Sequence, residues 1–460
     1  MQETHLNLSR QTVKLILIKT VQDLFPDDTL KIAYSIPEGV FCRLLNSALS
    51  IREVKQLNLK LQEEVRQDLK ISLLKYEHGY YHYQINDRII KTIYPAHDHT
   101  SLVEPFQVIP FYDGFIVNFS QRDQDLPLIL PEKLAATYEE SQKGLENINL
   151  ELVSDINEYI SSGRTLELIS LAEALQEKKI VNIADMILSQ RRRIRVILIS
   201  GPSSSGKTSF TRRLAIQLRV NGLKPISLGV DDYFVEREQT PRDENGNYDF
   251  DTIKALDVAL LQKHIKELIK GETVETPLFD FLTGTRKKET KTMRLNDDEI
   301  LIIEGIHALN PKLIPSGNKN VFYKIYISAL FELNVDLINR TPTTEVRMIR
   351  RMVRDARSRG FSPENTLKQW PSVRRGENNN VFKYQEEADV MINSSLIYEM
   401  NALSALAPPI LEEIKKDSPY YDIKERLISL LSFFQPMDTA QIPFNSILRE
   451  FIGNSICFPE

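Results

Sequence analysis

Gly201-Pro202-Ser203-Ser204-Ser205-Gly206-Lys207-Thr208 fits the pattern G-x-x-x-x-G-K-[ST], and its flanks decide how it folds. Ahead of it runs Ile194 to Ile199, a short apolar, β-branched stretch of the kind that forms a buried parallel strand. Behind it, Phe210, Leu214 and Leu218 recur every fourth residue between Ser209 and Leu218, the spacing of one helix face. Strand, glycine loop and helix therefore follow one another in the order a phosphate cradle requires. Successive N–H groups of such a loop, from Gly201 through Ser203, Ser204, Ser205 and Gly206 to Ser209, converge on phosphate oxygens at the helix N-terminus. Lys207 has the reach for the β- and γ-phosphates, and the Thr208 hydroxyl is a ligand for Mg²⁺. A nucleoside triphosphate with Mg²⁺ is the ligand this stretch implies.

Strands and helices continue to alternate downstream. Strands are expected at Lys224–Val230, Ile300–Ile303 and Phe322–Ile327, and helices at Ala255–Ile269 and Thr344–Arg357. That alternation implies an α/β fold, a doubly wound parallel sheet covered by helices on both faces. Residues 1–125 read as an α+β module, with a helix from Gln11 to Phe25 and short strands such as Phe115–Phe119. Residues 126–190 read as a helical linker entered at Pro127 and Pro131 and broken at Ser161-Ser162-Gly163. Residues 191–410 form the nucleotide-binding domain, and a helical tail, 411–460, follows Pro408-Pro409.

The chain's 460 residues suffice for two or three domains. Its 58 Lys and Arg against 63 Asp and Glu leave a net charge of −5, so nucleic acid is not an expected partner. Arg191-Arg192-Arg193 reads as a solvated strand entrance. Cys42 and Cys457 lack metal-ligand spacing and suit a reducing compartment. With no long apolar run and no leader-like N-terminus, the expectation is a cytoplasmic protein without a membrane partner. Oligomeric state is not legible, and a homo-oligomer is compatible with the sequence.

Transfer of a phosphoryl group needs a metal ligand, a proton acceptor and cations around the moving charge. Asp231-Asp232 ends the strand after the loop, and Glu304 ends the next one. Carboxylates at the carboxyl ends of parallel strands face the ligand crevice. Further on, Arg347, Arg350, Arg351 and Arg354 recur at helical spacing, with Arg357 and Arg359 following, which reads as a cationic lid over the phosphates.

Together these segments resemble the uridine kinase/phosphoribulokinase group of P-loop kinases. The likeness rests on Gly201–Ser209, Asp231–Phe234, Asn247–Phe250, Pro277–Phe281 with Arg286, Ile303–Ile306, Arg350–Asp355 with Arg359-Gly360, and Ala388–Ile392, in the family's order. The resemblance implies a P-loop NTPase fold and ATP-dependent phosphorylation of a small-molecule hydroxyl. It implies that Asp231 receives the hydroxyl proton, that Glu304 with Thr208 organises Mg²⁺, and that Arg351, Arg354 and Arg359 close over the phosphates beside Lys207. Asp249 matches an aspartate that holds ribose hydroxyls, although a turn aspartate is the competing reading. Phe279, Phe281, Arg286 and Gln369 fall on substrate-side positions. Where uridine kinases read uracil with a tyrosine and a histidine, this chain has Phe279 and Gly284, and Phe361 replaces a lid arginine. The acceptor is thus a nucleoside by resemblance, with a sugar, polyol or pantothenate-type acceptor as the alternative, or a nucleotide-responsive protein that binds RNA or a partner.

The first 120 or so residues resemble the second additional domain of threonyl-tRNA synthetases, through Leu24–Asp27 and Ile32–Phe41. Leu15 and Lys19 stand where that domain carries an H-x-x-x-H pair, so editing chemistry is not expected.

Overall fold

A computed structural model describes residues 2–36, 39–119, 131–242, 246, 248–280, 283–315 and 319–457. Phe281, Asn247 and Pro127, singled out above, lie outside them. The N-terminal region opens with α1 (Gln2–Leu24), which begins well before Gln11 because its first turns are too polar to carry an apolar period. β1 (Leu30–Ile36) and β2 (Gly39–Leu44) follow. Ser50 and Glu53 then start α2 (Ile51–Arg66) with reciprocal side-chain to backbone bonds, which satisfy two otherwise orphaned N–H groups. β3 (Ile71–Glu77), β4 (Tyr80–Ile85) and β5 (Arg88–Thr92) form one antiparallel sheet. β6 (Gln107–Phe111) and β7 (Gly114–Asn118) complete a second, in the order β1-β2-β7-β6. Both helices and both sheets share one core, with Leu15, Leu57, Leu61 and Phe115 fully buried.

Three helices follow, α3 (Glu132–Glu146), α4 (Val153–Ser161) and α5 (Thr165–Ser189), with a break at Ser162-Gly163 between the last two. Next come β8 (Val196–Ser200), α6 (Lys207–Val220), β9 (Lys224–Gly229) and α7 (Val258–Ile269). The short strands β10 (Val274–Thr276), β11 (Phe279–Asp280), β12 (Thr285–Arg286) and β13 (Lys291–Met293) pair off as two small ribbons. β14 (Glu299–Glu304), β15 (Phe322–Ser328), α8 (Thr343–Arg359), α9 (Pro363–Asn380) and β16 (Val390–Asn393) complete the α/β region.

The central sheet runs β16-β15-β8-β14-β9, every pair parallel. Successive β8 side chains point to opposite faces. Val196 and Leu198 join Leu261 and Ile265 of α7 on one face. Ile197 and Ile199 join Phe210 and Leu214 of α6 and Ile183 of α5 on the other. This is the doubly wound arrangement. Because β8 leads to β9 on one side while β15 lies on the other, the loop after β8 opens onto the sheet's crevice.

The C-terminal helices are α10 (Glu399–Leu411), α11 (Tyr421–Leu431) and α12 (Arg449–Ile452). Pro408 and Pro409 lie inside α10, so the helix runs past the boundary expected at 410/411. Proline cannot donate to the preceding turn. Burial of Leu403, Ala407 and Leu411 at 0% exposure nevertheless keeps the last turn helical. Among the described residues, no helix is long and apolar enough to cross a membrane.

Candidate active site

Two glycines shape the loop after β8. A Cβ at Gly201 would lie 2.1 Å from the Ile327 carbonyl oxygen, so only glycine lets the loop pass β15. Gly206 has φ +79° and precedes α6, where a Cβ would also strike Ile447. Lys207 folds back along the loop, its Nζ donating to the carbonyls of Gly201 and Pro202 at 2.9 Å each. Burial pushes the Lys207 amine below its ordinary value, opposed by the carboxylates of Glu304, Glu450 and Glu377. Thr208 Oγ1 donates to Glu304 Oε1 at 2.8 Å, which joins the two residues expected at the metal. Mg²⁺ commonly takes one or two protein oxygens together with substrate phosphates, and this pair fits that donor set. Among the described residues, no group of three or more His, Cys, Asp or Glu is arranged to hold a metal.

The register of β14 with β8 and β9 pairs Glu304 with Ile199 and Gly229. A recess of about 220 Å³ at these strand ends is lined by Glu304, Asp231, Thr211 and Ser227 among others. Asp231 is exposed at its mouth, on the turn that follows β9. The protein packed around it raises the Asp231 pKa, Lys207 opposes the rise, and Asp232 adds to it. Burial likewise raises Glu304, against Lys207 and the Thr208 hydrogen bond. Asp232 does a different job, accepting the Phe279 N–H at 3.2 Å and so tying β11 to the turn.

Five of the six arginines of α8 divide into two sets. Arg347 and Arg350, 1% and 0% exposed, are struts rather than lid residues. Arg347 donates to the Ser203 carbonyl at 2.9 Å and pairs with Glu377, which itself accepts the Ser203 N–H at 2.8 Å. Arg350 reaches the Ser204 carbonyl and pairs with the fully buried Glu399. Together they fix the loop backbone. Arg351, Arg354 and Arg359 instead converge on Asp355, at 3.2, 3.3 and 3.2 Å. Arg351 also donates to Ser203 Oγ and to Gln369 Oε1, each at 3.0 Å, so Gln369 sits beside the loop.

Among the substrate-side positions, Asp249 accepts the Asp251 N–H at 3.1 Å through Oδ1, as a turn aspartate does. Phe279 is buried against Phe234. Arg286 donates to the carbonyls of Phe234 and Tyr233 and to Asp257, anchoring the turn behind Asp231. A Cβ at Gly284 would collide with the Arg237 guanidinium, 2.4 Å away, so Arg237 occupies the space beside the altered segment.

Sequence reading missed Glu377, Glu450 and Asp251. Glu450 of α12 accepts from Ser209 Oγ at 2.8 Å and Ser209 N at 3.2 Å, bringing the C-terminal tail to the start of α6. Asp251 is pushed up to about 6 by burial, then by Asp249 and Glu377. A carboxyl raised in the fold stabilises it while protonated, and that contribution is lost as pH climbs from about 4 through about 6. Asp251→Asn is therefore expected to unfold at a higher temperature than the parent at pH 8 and at the same temperature at pH 4. Thermal melts across that range check it, and a gap that widens in acid would contradict it.

The sequence model described as the phosphoribulokinase/uridine kinase family matches residues 196–398. A uridine kinase of Bacillus velezensis is 30% identical over 198 residues, 43% of this chain and 84% of the relative. One of Macrococcus caseolyticus is 30% identical over the same length, 43% and 86% respectively. One of Ligilactobacillus salivarius is 29% identical over 178 residues, 39% and 74%.

Proposed function

The chain belongs to the phosphoribulokinase/uridine kinase family, and from this we propose that it transfers the γ-phosphoryl group of ATP to a hydroxyl of a small molecule, a nucleoside foremost. The observation that carries the proposal is the recess in which Asp231 and Glu304 stand together beside Lys207 and Thr208. When bound, ATP supplies the phosphoryl group and Mg²⁺ neutralises its charge. In this reading Asp231 accepts the proton of the acceptor hydroxyl at a carboxylate oxygen. Glu304 and Thr208 hold the metal. The amides from Gly201 to Ser209 bind phosphate oxygens, with Lys207 released from the two carbonyls it now satisfies. Arg351, Arg354 and Arg359 share one counter-ion, Asp355, so three cations meet one carboxylate, and the excess charge suits a lid over phosphates. Asp249 has a second carboxylate oxygen for a ribose hydroxyl.

Residues 191–410 form the catalytic unit in this proposal, and residues 411–460 serve it through Glu450. We take residues 1–125 as a module without editing chemistry, joined through 126–190. At the two histidine positions of the synthetase domain, Leu15 is buried and Lys19 is ion-paired with Glu64 and Asp23.

A second acceptor class is favoured by one feature. Phe279 offers no donor, and Arg237 fills the space at Gly284, where an anionic or polyhydroxy acceptor would find a fork of N–H groups. ATP consumption measured across nucleosides, sugars and polyols tests both readings. Turnover with a nucleoside supports the first, and turnover with only a sugar or polyol replaces it with the second. Tight ATP binding with no turnover on any of them defeats phosphoryl transfer and leaves a nucleotide-responsive binding protein.

A further inference from the structure

A cavity of about 320 Å³ is lined by α1, the N-terminal end of α8 and the middle of α9, and shares no lining residue with the recess at Asp231 and Glu304. Five cations line it among the described residues: Arg10, Lys14, Arg340, Arg374 and Arg426. Glu345 is the one carboxylate among the described lining residues. It is already engaged, accepting from Tyr94 Oη at 2.6 Å and pairing with Arg426 at 2.7 Å. Arg374 pairs with Glu377 at 3.0 Å, and Arg10 lies over the Phe119 ring.

Lys14 and Arg340 differ from these. Lys14 Nζ donates to the neutral Asn339 Oδ1 at 3.0 Å, and Arg340 donates to the hydroxyl of Ser35. Among the described residues, Arg340 Nε is buried with no hydrogen-bond acceptor. Asp336 acts on Lys14 only at longer range, its oxygens accepting from Asn339 and Tyr80. Burial pushes Lys14 down to about 8, the mark of a cation that lacks a close counter-charge. Leaving two partly buried cations on neutral partners is costly, and a bound anion removes the cost. The end of α8 adds to the field. Pro342 is its N-cap and supplies no side-chain acceptor, and Pro342 and Thr344 both line the cavity.

We propose that this cavity is a second ligand site, for a small organic phosphate whose dianionic group is held by Lys14, Arg340 and the N-terminal end of α8. Two cations on neutral partners call for two negative charges, which a phosphate monoester brings and a single carboxylate does not. Part of the remaining wall, formed by Leu17, Ile338, Met348 and Trp370, is apolar and suits a flat organic body. The site also communicates with the loop. α8 leaves the cavity carrying Arg347 and Arg350 to the carbonyls of Ser203 and Ser204, and Arg374 meets the Glu377 that accepts the Ser203 N–H.

Calorimetry on full-length Lys207→Ala, in which the phosphate loop is weakened, tests this independently of the kinase reading. Uridine 5′-monophosphate, adenosine 5′-monophosphate, ribose 5-phosphate and inorganic phosphate are the probes. At least one organic phosphate is expected to bind with micromolar affinity, at least tenfold tighter than inorganic phosphate. Lys14→Met and Arg340→Met, each added to Lys207→Ala, should weaken it at least tenfold. Thermal melts without ligand separate misfolding from lost binding. Removing a partly buried cation that has no close counter-charge among the described residues should leave Tm equal or higher, while the ligand-induced rise in Tm disappears. Absence of binding by all four probes, or binding that Lys14→Met and Arg340→Met leave intact, would overturn the proposal.

Discussion

Asp231→Asn is expected to lower turnover by about 10²–10⁴-fold, the usual worth of a positioned general base, with ATP affinity nearly unchanged. The asparagine keeps the size of the side chain and removes its ability to take a proton. Asp232 remains to hold β11 through the Phe279 N–H, so the turn after β9 keeps its anchor. The neighbouring charges also set a pH signature. The Asp231 pKa is raised by its surroundings, so the fraction of active carboxylate grows as pH rises through a value above the ordinary aspartate range. The wild-type rate should therefore fall on the acid side, and the residual rate of the variant should lose that limb. Measurement of kcat against pH for both proteins decides the matter. Unchanged turnover in the variant would remove Asp231 from the role of base.

What could be read from the chain alone follows from the range over which each interaction acts. The phosphate loop, its strand and its helix are contiguous, so their order was legible. Asp231 and Glu304 stand at ends of apolar strands, and parallel pairing alone brings them to one crevice. The α8 arginines were only half legible. Helical spacing put several on one side, yet Arg347 and Arg350 turn inward because Glu377 and Glu399 await them from α9 and α10. No local pattern announces such partners. Glu450 is more remote still: its link to Ser209 joins residues 241 positions apart and depends on how the C-terminal tail docks. The prolines in α10 mislead for a related reason, since their local preference yields to burial of Leu403, Ala407 and Leu411.

Lys207→Ala should reduce kcat/KM for ATP by about 10²–10³-fold, the effect of removing one pre-aimed donor to developing charge, and weaken ATP binding as well. Two consequences are separable. The first is the loss of a cation at the phosphates. The second concerns the resting protein, in which the ammonium satisfies the carbonyls of Gly201 and Pro202 and lies among Glu304, Glu450 and Glu377. Without it, Glu304 and Asp231 each lose the charge that holds their pKa down, so both should protonate at higher pH than in the parent. The variant's acid limb is thus expected to move toward neutrality, beyond the fall in rate. Lys207→Arg restores charge without the compact ammonium. It should return the acid limb toward its parental position while recovering little of the rate, because a planar fork cannot occupy a point-charge site. A wild-type rate in Lys207→Ala would contradict the cradle, and a full rescue by arginine would show that charge alone, without the ammonium's geometry, is what the loop requires.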